Sequence, residues 1–127
     1  MKIGILQFGL LIDSAASLKD KRRVVKSVKD RLHREHMVSV AEVGDLELWN
    51  RASLGLAAVS ADASHLHGVL DAVIRKLKDL PEGRLADVAA DVVDVADVVS
   101  FTDDDGSPLW TESERREPDR PAGETAA

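Results

Sequence analysis

The sequence predicts one α+β domain in which two amphipathic helices alternate with four strands. Two helical patterns of apolar residues stand between runs that are rich in apolar and β-branched residues. The chain has 127 residues, of which 44% are apolar, so it can build one hydrophobic core without a metal or a disulfide. It has no cysteine, which excludes disulfides and thiolate chemistry and fits a reducing compartment.

The first strand and the first helix follow from residues 2–36. Residues 2–12 are apolar on both alternating sets, which predicts a strand covered on both faces. This run is too short to span a bilayer and lacks the cleavage site of a signal peptide. Ser17 and Asp20 have the spacing of a helix N-cap, and the helix should run to about His36. Its predicted buried stripe consists of Leu18, Val25, Val28 and Leu32.

The middle of the chain predicts two more strands and a second helix. Residues 37–43 alternate polar residues with small or β-branched ones, which predicts a strand, and residues 44–47 form the loop after it. Residues 51–61 predict a third strand. Asp62 should cap the second helix, which ends before residues 81–83. The apolar face of this helix consists of Leu66, Val69, Leu70, Val73, Ile74 and Leu77.

Residues 87–101 fit two patterns. Their valine density predicts a strand, but valines at every third or fourth position also fit a helical stripe. We predict a strand, because a helix here would leave an edge of the sheet unpaired.

The resulting order is that of a ferredoxin-like fold, an antiparallel four-stranded sheet with two helices on one face. Because the first strand is apolar on both sides, the other face should expose a hydrophobic patch, which predicts a homodimer through this face.

The net charge of −6 hides a segregation of charge along the chain. Residues 19–34 hold eight Lys or Arg and two Asp, whereas residues 85–127 hold three Arg and twelve Asp or Glu. From residue 102 onward the chain is acidic and poor in large apolar side chains, so burial cannot offset the entropy lost on ordering. We therefore expect a ferredoxin-like domain over residues 1–101 and an acidic, disordered tail over residues 102–127.

The basic first helix is the main functional lead. Successive helical residues turn by about 100°, so some cations project opposite the buried stripe while others flank it and extend their charged ends to water. The outward cations are Lys19, Arg23, Lys26 and Arg34, and the flanking ones are Lys21, Arg22 and Lys29. Such a surface can neutralise several phosphates. The RNA contacts predicted on this helix are Lys19, Lys21, Arg22, Arg23, Lys26 and Arg34. The alternative is a solvated helix face without a partner.

Trp49, followed by Asn50 and Arg51, is the second lead. An aromatic ring beside a guanidinium can stack on an unpaired base or anchor an interface, which makes Trp49 and Arg51 candidate RNA contacts. We favour the alternative in which Trp49 caps the core at a sheet edge, because tryptophan usually buries most of its surface. With two Phe, two Trp and no Tyr, the chain lacks the aromatic platform of an RNA-recognition-motif sheet.

The sequence shows no catalytic or metal-binding constellation. His33 and His36 can share a helix face but have no third ligand, and the Asp residues between positions 87 and 97 lack the glycine turn and closing glutamate of a calcium loop. The serines have no placed base, and there is no glycine-rich phosphate loop. We therefore expect a protein that is not an enzyme and that uses no cofactor and no metal.

Three segments in the first half of the chain carry a family resemblance. They are SLKDKRRVVKSVKDRL (residues 17–32), VSVAEV (residues 38–43), and residues 49–55 with Trp49-Asn50-Arg51-Ala52 and Leu54-Gly55. Together they resemble the YlxP-like family, a group of small bacterial proteins with a domain of unknown function. The resemblance covers residues 1–100 and implies a ferredoxin-like fold. It implies no catalytic residues. Members are often encoded beside transcription-elongation, translation-initiation and ribosome-binding factors, which implies a role in ribosome assembly or RNA handling.

These observations predict a cytoplasmic, non-enzymatic protein that associates with rRNA or a ribosomal particle and not with a membrane. The acidic tail can compete with RNA for the basic helix and so weaken non-specific binding. An alternative from another class is a protein-interaction or oligomerisation module that works through the open apolar face of the sheet. A third is a small-ligand regulatory domain of the kind that ferredoxin-like folds often provide.

Overall fold

The structure is a computed structural model that describes residues 1–98. Contacts divide the chain into one unit over Met1–Val95 and a second over Ala96–Ala127. The predicted boundary at residue 101 and the predicted tail lie outside the described residues. The elements in chain order are β1 (Lys2–Leu11), α1 (Leu18–His36), β2 (Ser39–Gly44), β3 (Arg51–Ser60), α2 (Ala63–Lys78), β4 (Arg84–Asp94) and the short α3 (Val95–Val98).

The four strands form one antiparallel sheet in the order β2-β3-β1-β4. The central strand β1 pairs with β3 on one side, from Lys2 opposite Ser60 to Leu11 opposite Arg51, and with β4 on the other. This topology, with two long helices between the strand pairs, confirms the predicted α+β, ferredoxin-like class. It leaves β2 as an edge strand, in contact with α1.

The two faces of the sheet differ in what covers them. Alternate residues of β1, Leu6, Phe8 and Leu10, are buried in the core with the helices, whereas Ile5 on the opposite face is exposed. Among residues 1–98, the helices thus cover one face of β1, and cover of the other face by a second copy of the chain stays a prediction. The uncovered face, here called the open sheet face, carries the polar residues Gln7, Arg51 and Asp91 and the apolar or small residues Ile3, Ile5, Ala41, Val43, Gly55, Ala57, Val59 and Ala89.

Helix α1 begins and ends through local hydrogen bonds. The Ser17 hydroxyl accepts from the backbone N–H of Asp20 at 3.1 Å, and the Asp20 carboxylate accepts from the N–H of Ala16 at 3.0 Å, which satisfies helix-start donors as predicted. The helix ends at Met37, which has a left-handed φ of 54°. Because Met37 caps the helix, β2 begins at Ser39 and not at the predicted residue 37.

The core lies between α1, α2 and the covered face of the sheet. Helix α2 begins after Asp62, whose carboxylate accepts from the N–H of Ser64 at 2.9 Å, as the sequence predicts. The predicted apolar stripes of both helices face the sheet. Their buried residues are Val25, Val28 and Leu32 in α1, and Leu66, Leu70, Val73 and Leu77 in α2.

The prediction of a strand over residues 87–101 is right only in part. Strand β4 already begins at Arg84, opposite Leu11 of β1, and it ends at Asp94, opposite Lys2. It ends there because β1 begins at Lys2, and the last backbone hydrogen bond along this edge runs from the N–H of Val95 to the carbonyl of Met1 at 2.9 Å. The next residues, Val95–Val98, form α3, and residues 99–101 lie outside the described part of the chain.

Candidate nucleic-acid interface

Lys21 lies inside the protein and not on its surface. The residue is 1% exposed, and its ammonium lies 2.8 Å from the Glu42 carboxylate. It also donates to the backbone carbonyls of Asp45 at 2.8 Å, Leu46 at 3.4 Å and Arg51 at 3.3 Å. The prediction that Lys21 reaches solvent from the flank of the helix and contacts RNA is therefore wrong. Its charge is compensated by one carboxylate and three carbonyl dipoles, which makes burial tolerable.

Six of the other seven Lys and Arg residues of α1 form a surface that we call the basic ridge. The seventh, Arg31, lies outside it, because it is half-buried and its guanidinium lies 2.6 Å from the Glu82 carboxylate. The members of the basic ridge are Lys19, Arg22, Arg23, Lys26, Lys29 and Arg34. All are exposed except Lys29, which is half-buried. They stand clear of the core because the buried stripe, which contains Val25, Val28 and Leu32, takes up the opposite side of the helix.

Two cations of the basic ridge have acidic neighbours on the same helix. Lys26 lies 2.7 Å from the Asp30 carboxylate, and Arg23 lies 3.8 Å from Asp20. The hydrogen bond and charge of Lys26 hold the pKa of Asp30 below its ordinary value. Exposed ion pairs on a helix surface contribute little to stability, so a phosphate can replace either carboxylate. Within residues 1–98, no ion pair involves Lys19, Arg22, Lys29 or Arg34.

A shallow groove of about 390 Å³ runs between α1 and the edge strand β2. Arg22, Lys26 and Lys29 line it on the helix side, together with the apolar Val25 and the Asp30 carboxylate that pairs with Lys26. Glu42 of β2 lies opposite, with its charge already paired to Lys21. Lys29 is the one cation of the basic ridge that the sequence did not single out as an RNA contact. The sequence did contain a signal for Lys29, because positions 22, 26 and 29 are spaced by four and three residues and so share one helix face.

The loop between β2 and β3, residues 45–50, is held in place at its backbone. Besides the two carbonyls bound by Lys21, the carbonyl of Asn50 accepts from the N–H of Ile12 at 2.9 Å. Within the loop, the N–H of Leu48 donates to the carbonyl of Asp45 at 3.1 Å. We call this segment the apolar loop, because three of its six side chains are large, apolar and exposed: Leu46, Leu48 and Trp49. Trp49 is 48% exposed and belongs neither to the core nor to the partly buried side chains that pack against it, so the interpretation that it caps the core at a sheet edge is wrong.

Arg51 does not join the basic ridge. Its guanidinium lies over Gly9 on the open sheet face, whereas α1 packs on the other face. Its Nε donates to Asp45 at 3.1 Å, and a second ion pair joins it to Asp87. These carboxylates, Asp87 first, raise the pKa of the guanidinium. Arg51 therefore fixes the first residue of the apolar loop, and its charge is already neutralised.

Residues 1–98 contain neither a metal site nor a membrane-spanning helix. No group of three or more His, Asp or Glu in this part of the chain is arranged to hold a metal ion. His33 instead places its Nδ1 at 2.9 Å from the carbonyl of Val38, beside the start of β2. Over the same residues, neither long helix is apolar enough to cross a membrane.

The sheet topology and the basic ridge define a ferredoxin-like α+β protein with a cationic helix on its surface. Residues 3–90 match the family model described as "Protein of unknown function (DUF503)", and the chain belongs to this family. The chain is also 35% identical over 80 residues to the "Uncharacterized protein YlxP" of Bacillus subtilis (strain 168). This alignment covers 63% of the chain and 87% of the relative. The resemblance to the YlxP-like family is thereby confirmed, and the matched residues include the basic ridge up to Arg34 and the whole apolar loop.

Proposed function

We propose that this protein is a non-catalytic RNA-binding protein, that it associates with ribosomal RNA or a ribosomal particle, and that the basic ridge contacts the phosphates. The observation that carries the proposal is a row of exposed cations on one helix of a protein whose net charge is −6. Random placement of charge on an acidic chain does not favour such a row. Counterions released from phosphates by these cations provide the binding free energy.

The chemistry of the ridge favours recognition of the phosphate backbone over recognition of base sequence. Lys and Arg side chains dominate the outward side of α1, and its apolar residues Val25, Val28 and Leu32 are buried. Phosphate contacts position a protein on a nucleic acid but carry little sequence information. We therefore expect the ridge to bind structured RNA with affinity that depends on charge and on salt.

A salt titration of the full chain tests this proposal. Binding to a structured RNA is measured by filter retention between about 50 and about 200 mM monovalent salt. If four or five cations of the basic ridge each neutralise one phosphate, the logarithm of the association constant falls against the logarithm of salt with a slope of about −3 to −5. Absence of binding at the lowest salt, or a slope near zero, would contradict the proposal.

A second candidate function, protein interaction or oligomerisation, rests on the open sheet face. Ile5, Val43 and Val59 are 44%, 54% and 64% exposed on this face. Gly55 and Ala57 lie between them on β3, so the surface is flat enough for another sheet to pack against it. Apolar patches of this kind on a monomer often mark an interface.

For this second candidate we expect the full chain to be a dimer in light-scattering measurements at micromolar concentration. Val59→Lys places a charge on the apolar face opposite Ile3 and should yield a monomer, because burying an unpaired ammonium is costly. Val98→Lys is the matched control, since Val98 is exposed but lies in α3, and it should leave the mass unchanged. A wild-type monomer would exclude self-association through this face.

A further inference from the structure

We propose that the apolar loop is a stacking site for an unpaired base of the RNA held by the basic ridge. This inference rests on the proposed function and extends it, because it names the substrate class. The preferred RNA has unpaired nucleotides next to the backbone segment that the ridge binds, and a uniform duplex is bound less well. Trp49 is the stacking residue, and Lys21 and Arg51 are positioning residues.

The backbone of the apolar loop is fixed from both faces of the sheet. Lys21 of α1 binds the carbonyls of Asp45 and Leu46 from the covered side. Arg51 binds the Asp45 carboxylate from the open side. A loop held in this way loses little conformational entropy when a ligand binds to its side chains. The exposed apolar side chains are thus presented on a preformed support.

The position of Trp49 favours a single base. Among residues 1–98 the aromatic side chains are Phe8 and Trp49, and Phe8 is buried in the core. Trp49 is therefore the exposed aromatic ring of the described chain, so the sheet offers no extended platform for several bases. Leu46 and Leu48 provide apolar surface in the same loop, as side chains do around bases that are taken out of a stack.

The link between the apolar loop and the basic ridge is Lys21. It belongs to α1, between Lys19 and Arg22, and its ammonium contacts the loop directly. The apolar loop therefore lies beside the N-terminal half of α1, on the side from which Lys21 contacts it. Of the two exposed neighbours, Arg22 faces the groove beside β2, whereas Lys19 projects to the outward side of the helix. An RNA strand that places phosphates on the basic ridge can place a neighbouring base on the loop.

The apolar loop contains no Lys or Arg that could bind phosphate. Asp45 is neutralised by Arg51, and Glu47 is an exposed carboxylate that repels phosphate. Base stacking releases few counterions, whereas phosphate contacts release them in proportion to their number. The two parts of the surface therefore differ in a measurable property. Loss of Trp49 should lower affinity without changing the salt slope, whereas loss of cations of the basic ridge should change both.

The experiment compares two RNA probes, a hairpin with an unpaired loop and a blunt duplex with the same stem. Proteins carry Trp110→Phe, so that Trp49 is the remaining tryptophan and its fluorescence reports on its environment. We expect the hairpin to quench this fluorescence. Trp49→Ala should weaken hairpin binding by about tenfold, the usual range for loss of one stacked base, and leave duplex binding and the salt slope unchanged.

Two further variants separate stacking from simple apolar contact. Trp49→Phe keeps an aromatic ring and should retain most of the preference for the hairpin. Trp49→Leu keeps apolar surface without a ring and should behave like Trp49→Ala. Because Trp49 is exposed, thermal unfolding of all three variants should match that of the parent.

Each result with the two RNA probes either supports or overturns base stacking on Trp49. If the duplex binds but Trp49→Ala leaves hairpin affinity unchanged, base stacking is overturned and the loop is a contact for protein, while the proposed function stands. If Trp49→Leu restores the hairpin preference as well as Trp49→Phe does, stacking is also overturned. If the parent binds neither probe at low salt, the proposed function fails and this inference fails with it.

Discussion

Replacing Lys21 with alanine is expected to lower the free energy of unfolding by about 3–5 kcal/mol. The substitution leaves the Glu42 carboxylate, which is 17% exposed, without its ion-pair partner. It also removes the donor for the carbonyls of Asp45, Leu46 and Arg51. Breaking one half of a buried pair is costly because the other half stays buried and unpaired. The loss is a large part of the about 5–15 kcal/mol that stabilises a small domain.

Urea unfolding followed by circular dichroism measures this effect. Lys19→Ala is the matched control, because Lys19 lies two residues away and is exposed, and it should change the free energy of unfolding by no more than about 0.5 kcal/mol. Lys21→Met combined with Glu42→Gln should recover part of the loss, since it removes the unpaired charge but not the unpaired carbonyls. A loss for Lys21→Ala as small as that of the control would show that the ammonium is hydrated and not buried.

The order of the elements could be predicted because local patterns determine most of it. The continuous apolar run of β1, the stripe of Val25, Val28 and Leu32, and the caps at Ser17 and Asp62 each depend on neighbouring residues. The limits of β4 depend instead on where β1 starts and stops, because strands end where their partners end. Valine content alone could not supply that information.

The candidate site was predicted less well because its key contacts join distant parts of the chain. Lys21 has the residue type of a surface position, yet it lies four residues before Val25 and seven before Val28, which is the spacing of the buried stripe. That spacing indicates that Lys21 lies on the buried side of α1. Its partner Glu42 and the carbonyls of the apolar loop become neighbours only when α1 packs beside β2.

Arg51 and Trp49 show the same limit of sequence reasoning. The pairing of Arg51 with Asp87 spans 36 positions and depends on the register of both β3 and β4 with β1. The exposure of Trp49 follows from the loop backbone that Lys21 and Arg51 fix. Residue type therefore predicted that Trp49 and Arg51 contact RNA together. The tertiary contacts instead pair Arg51 with two carboxylates and leave Trp49 exposed.

The second large effect is a loss of RNA affinity, which is expected when charge is reversed on the basic ridge. Lys19→Glu combined with Arg22→Glu should weaken binding of a structured RNA by about a hundredfold at about 50 mM salt, because two phosphate contacts are lost and two repulsions replace them. The magnitude of the salt slope should fall by about 2, since about one counterion is released for each phosphate contact. Both residues are exposed and make no ion pair within residues 1–98, so stability should be unaffected.

A matched reversal on the other long helix controls for net charge. Arg75→Glu combined with Lys78→Glu changes the total charge by the same amount, and both positions are exposed in α2. If RNA responds only to the overall charge of the protein, the two double variants will lose the same affinity. If the basic ridge is the contact surface, the α2 variant should lose no more than about threefold.

The comparison of these two double variants on one structured RNA at low salt tests the central claim most directly. If the basic ridge contacts phosphate, RNA affinity should fall by about a hundredfold for the α1 double variant and change little for the α2 double variant. Equal losses for both, or full affinity retained by the Lys19→Glu, Arg22→Glu protein, would show that RNA does not bind where we propose.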